Sequence, residues 1–68
     1  MEINYSKSIL KLRVELNISQ MKLAEMLGVS FSSINRWERG KFEPTLLVKE
    51  KIKRLFIENN IKMVEEDE

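Results

Sequence analysis

The sequence contains no cysteine and no histidine among its 68 residues. Disulfides, thiolate nucleophiles, imidazole bases and the usual zinc ligand sets are therefore excluded, and most enzyme chemistry goes with them. The carboxylates that remain are scattered or gathered at the C-terminal end. No pair of them has a sequence reason for a shifted pKa, so no catalytic residue, cofactor or metal site is expected. Two glycines and one proline are all that punctuate the chain. No stretch alternates apolar and polar residues long enough to make a strand, which points to an all-helical fold. No apolar run exceeds the length of Leu46-Leu47-Val48, far below the ~18 residues of a membrane span. The N-terminus lacks the charged-then-apolar order of a secretory signal, so a cytoplasmic location without membrane contact is expected.

What is present is apolar material and charge, 43% and 34% of residues. That supports one small soluble domain, although a chain of this size buries only about 60% of its unfolded surface. The net charge of +1 hides an asymmetry. Four of the eleven acidic residues are Glu65, Glu66, Asp67 and Glu68, which leaves seven against twelve basic residues elsewhere. A single domain over residues 1–64 followed by a disordered acidic tail, 65–68, is expected. Between Arg36 and Arg54 lie Arg36, Arg39, Lys41, Lys49, Lys51, Lys53 and Arg54 against only Glu38, Glu43 and Glu50. Charge alone leaves three readings of that stripe: nucleic acid, anionic lipid or a solvated face.

Hydrophobic periodicity divides the chain into four short helices, with a fifth left open after Asn60. Ile9, Leu12 and Leu16 mark the first, from Ser6 to Leu16, with Leu10 and Val14 alongside. Ser19 caps a second from Gln20 to Leu27, with Leu23, Ala24 and Leu27 inward. Gly28, which accepts a left-handed backbone, ends it. Ser30 caps a third, Phe31 to Arg39, with Ile34 and Trp37 inward, and Gly40 closes it. Thr45 caps a fourth that runs to about Asn59 with Val48, Ile52, Leu55 and Phe56 on its stripe. The Gly28-Val29-Ser30 connection has the length of a helix-turn-helix. Small Ala24 lets the two helices approach, while Val29, Ile34 and Trp37 fill the space between them. The outward face of the third helix is then free to enter a major groove ~12 Å wide.

The run Ser19-Gln20-x-x-Leu23-Ala24-x-x-Leu27-Gly28-Val29-Ser30-x-x-x-Ile34-Asn35-x-Trp37-Glu38-x-Gly40-x-x-x-Pro44 closely resembles the lambda-repressor-like family of DNA-binding domains, the Cro/C1 or XRE type. The likeness covers about Ile9 to Phe56. It implies four or five helices, sequence-specific binding to duplex DNA, a frequent role as repressor and frequent dimerisation. It also implies that Arg13 and Glu38, flanked by apolar Leu12, Val14 and Trp37, meet in a salt bridge behind the recognition helix.

Side-chain chemistry assigns contacts on that helix. Arg36 can fork onto guanine O6 and N7. Ser32 can reach a base edge, and Asn35 suits either adenine or the DNA backbone. Phe31 departs from the polar residue usual in resembling proteins and has two readings, a thymine methyl contact or a plug against the second helix. For phosphates the candidates are Ser19 and Gln20, where the unpaired amides of the second helix point outward, with Ser33, Arg39 and Lys41. Ser33 also fits a purely capping role. Most of the lysines on the fourth helix read as solvated. The expected function is a small transcriptional regulator on double-stranded DNA; the alternative is a protein-interaction module such as an antitoxin or accessory subunit. One such domain on DNA buries roughly 600–1,000 Å², so a homodimer on a palindromic operator is expected.

Overall fold

Among the described residues four helices make up the regular structure: α1 (Tyr5–Leu16), α2 (Gln20–Leu27), α3 (Phe31–Glu38) and α4 (Leu46–Glu58). The computed structural model describes residues 2–66. Each helix begins with a side-chain oxygen that accepts a backbone N–H three residues on: Asn4 from Lys7, Ser19 from Lys22, Ser30 from Ser33 and Thr45 from Val48, at 3.0–3.4 Å. This satisfies donors that a helix start leaves unpaired. Three of those caps are the expected ones. Asn4 is the fourth, and it starts α1 one residue earlier than apolar spacing indicates.

The core consists of Tyr5, Ile9 and Leu12 from α1, Leu23, Ala24 and Leu27 from α2, Ile34 and Trp37 from α3, and Val48, Ile52 and Phe56 from α4. Val29 and Leu55 pack against it from the sides. Leu10 and Val14, the apolar pair alongside the inward stripe, are 47% and 69% exposed. At about 100° per residue they lie roughly 100–140° around α1 from Ile9, and no helix covers that side.

No fifth helix follows α4 among the described residues. Asn60 takes a left-handed conformation, φ 57, and the chain leaves the helix. Ile61 and Met63 dock on the core as partly buried side chains. The chain then runs antiparallel to the N-terminus: Ile3 faces Glu65, Asn4 N–H donates to Val64 O, and Glu66 N–H donates to Glu2 O, both at 2.8 Å. Disorder expected from Glu65 onward thus gives way to paired backbone at Glu65 and Glu66. Backbone partners on the N-terminal segment hold them, not burial of their side chains. Asp67 and Glu68 lie outside the described residues.

Candidate nucleic-acid interface

Burial of Ile34 at 0% and Trp37 at 8% fixes the rotation of α3. Phe31, Ser32, Asn35, Arg36 and Arg39, at offsets of one, four, five and eight from Phe31, then fall on the opposite side. Phe31, Ser32, Arg36 and Arg39 are exposed and Asn35 is half-buried. Phe31 stays 47% exposed and is not among the apolar side chains packed on the core, which disfavours its reading as a plug. Ser33 is half-buried. Its amide donates to Ser30 Oγ at 3.1 Å and its Oγ lies 3.0 Å from the same oxygen, so its observed partner is the cap of α3.

The turn between α2 and α3 is built by backbone. Gly28 takes φ 70, Val29 N–H donates to Ala24 O at 3.0 Å, and Lys51 Nζ reaches over from α4 to Leu27 O at 3.3 Å. The lysine donates a hydrogen bond to a carbonyl that the end of α2 leaves open. Other α4 cations are also engaged: Lys49 with Glu43 at 2.8 Å and Lys53 with Glu50 at 3.8 Å. The hydrogen bond to Glu43 chiefly raises Lys49 above its ordinary pKa. Lys51 and Lys49 thus have local partners, and Arg39 and Lys41, at and just beyond the end of α3, are exposed cations.

Behind α3 the carboxylate of Glu38 is a junction. Arg13 donates through Nε to Oε2 at 2.6 Å and through Nη2 to Oε1 at 3.0 Å. Its Nη1 donates to Ile18 O at 3.3 Å. Gln20 Nε2 donates to the same Oε1 at 2.9 Å. The side chains of Arg13 and Glu38 retain 21% and 10% of their exposure, so the pair is largely withdrawn from water. Its hydrogen bonds to Glu38, ahead of the charge attraction, hold Arg13 above its ordinary pKa against the opposing effect of burial. One carboxylate thereby ties α1, the start of α2 and the end of α3 together. Sequence reasoning paired Arg13 with Glu38 but missed the third member. Gln20 carries two amide hydrogens, one of which goes to Glu38. Ser19, beside it, is exposed and caps α2.

A family model described as helix-turn-helix matches residues 9–56, more than half of the chain. The chain belongs to the Cro/C1-type (XRE) helix-turn-helix family. That is a family of DNA-binding regulators, generally without enzymatic activity. No curated protein and no solved structure matches the chain. Among the described residues no group of His, Cys, Asp and Glu could hold a metal ion, and no helix is long and apolar enough to cross a membrane.

Missed by sequence reasoning were Asn4 and Lys51. Asn4 sits directly before the first apolar-periodic turn, a signal that could have been used. Lys51 reaches its carbonyl across the tertiary fold and has no local signature.

Proposed function

We propose that this protein is a small transcriptional repressor that binds duplex DNA sequence-specifically, with α3 laid in the major groove. The observation that carries the reading is the outward row Phe31, Ser32, Asn35 and Arg36, held facing solvent by the burial of Ile34 and Trp37 behind it. Base edges would meet that row. Phosphates on either side would meet the first amides of α2 with Ser19 and Gln20, and Ser33, Arg39 and Lys41 around α3. Helix amides and cations fix register on the duplex, and the side chains in the groove supply selectivity.

The interface of one copy is small for selective binding in a genome. We therefore extend the proposal to a homodimer on a palindromic operator in the cytoplasm, with half-sites about 34 Å apart. Selection from random duplex DNA, followed by titration of the enriched site at several salt concentrations, tests this. An enriched inverted repeat is expected, with log affinity falling against log salt at about 0.9 per neutralised phosphate. Absence of any enriched motif, with a salt-insensitive residual affinity, would instead favour the protein-interaction module.

A further inference from the structure

Phe42 is 59% exposed and does not pack on the core. Its position follows from the way α3 ends. Gly40 takes φ 75, its N–H donates to Trp37 O at 3.0 Å, and Lys41 N–H donates to Arg36 O at 3.3 Å. These are the paired bonds of a Schellman turn, which folds the chain back against the last helical turn. Only a residue tolerant of positive φ sits easily at position 40. Downstream the loop is held again, because Pro44 is buried and Glu43 pairs with Lys49 at 2.8 Å. Between these two anchors Phe42 is brought to Arg36, whose guanidinium carbon lies 5.5 Å from the ring centroid. That is within the ~6 Å over which a cation is attracted to a ring face.

A long exposed arginine loses rotamer freedom when it docks on a base, and a guanidinium already held over a ring loses less. A cation–ring contact occupies none of the N–H donors in hydrogen bonds. The fork toward guanine O6 and N7 therefore stays available. We infer that Phe42 is a positioning residue for base readout, holding the Arg36 guanidinium in place before DNA arrives. The inference rests on the proposed DNA-binding function and assigns an exposed aromatic outside the recognition helix to specificity.

Two measurements test it separately. In the free protein, the Arg36 Hδ protons should show a ring-current shift by NMR that disappears in Phe42→Leu and persists in Phe42→Tyr. If Phe42→Leu leaves those resonances unmoved, the stack does not exist and the inference fails without reference to DNA. On the selected operator, Phe42→Leu should reduce discrimination by about two- to fivefold. The loss should fall at the same base position that Arg36→Ala relaxes. Phe42→Tyr should restore it, and Phe42→Leu added to Arg36→Ala should change nothing further. A uniform loss on all sequences with preference intact would make Phe42 a backbone contact, and full additivity with Arg36→Ala would uncouple the two residues; either result overturns the inference. If the unaltered protein selects no DNA site, the functional reading itself fails and the role of Phe42 falls with it, while the NMR result still decides whether the stack is there.

Discussion

Gln20 and Arg13 donate to the same oxygen of Glu38, at 2.9 and 3.0 Å, so one carboxylate joins three helices behind the outward face of α3. Because that carboxylate keeps only 10% of its exposure, removing a partner strands a charge in a poor solvent. Arg13→Met and Glu38→Leu should each destabilise the fold by about 1–3 kcal/mol, less than for a fully buried pair because Arg13 still touches water. The double mutant should cost clearly less than the two singles combined. Denaturant unfolding of the three variants checks this. Single losses under about half a kcal/mol, without coupling, would reduce the bridge to a surface pair.

The parts of this architecture that were legible in the sequence are those written locally. Ser19, Ser30 and Thr45 announce helix starts because a cap acts within three residues, and Gly28 and Gly40 announce helix ends because few other residues take positive φ. The inward set of α2 and α3 followed from spacing alone. Leu10 and Val14 did not, because a second apolar pair on a helix is core only if another element covers it, and four helices leave that side of α1 open. The return of the chain to Glu2, Ile3 and Asn4 was illegible for a related reason: it pairs backbone across some sixty positions, and the side chain that anchors it, Ser8, has no local signature for a partner 56 positions away. At the interface, the outward row could be read from periodicity. The Gln20–Glu38 bond and the Arg36–Phe42 stack depend on tertiary placement.

Gln20→Ala should have two separable effects. Loss of a hydrogen bond to a charged group should cost about 1–2 kcal/mol of stability. The proposed phosphate contact would also lose the remaining amide hydrogen of Gln20, so affinity for DNA should fall by a similar factor for every sequence. Thermal unfolding and titration against the operator and several of its variants separate the two. A change confined to one base preference would move Gln20 to direct readout.

Arg36→Ala should behave in the opposite way. Its side chain is exposed and its one observed partner is the ring of Phe42, so the thermal midpoint should move little. Specific affinity should fall by about 1–3 kcal/mol, with relaxed preference at one base pair. Competition among single-base operator variants measures this. A destabilised protein with unchanged selectivity would show Arg36 to be structural.

Among the described residues Ser8 is the one polar side chain in the core, with no exposure, and its partner lies 56 positions away. Its Oγ accepts the Val64 N–H at 2.9 Å and donates to Val64 O at 3.3 Å. Val64 O also receives Asn4 N–H at 2.8 Å. In Ser8→Ala the carbonyl keeps one donor, whereas the Val64 amide loses its acceptor. An orphaned amide of this kind costs about 1–3 kcal/mol where water cannot reach it. The terminal segment can relieve that cost by detaching, because Ile61 and Met63 are only partly buried where they pack against the core. Local opening should therefore dominate over global loss. Hydrogen exchange should accelerate at Asn4, Val64 and Glu66 in Ser8→Ala, while the amides of Leu23 and Ile34 keep their protection. Unchanged exchange at Val64 would mean that the hydroxyl does not hold the terminus, and equal acceleration at every site would mean that the terminus opens only when the whole domain unfolds.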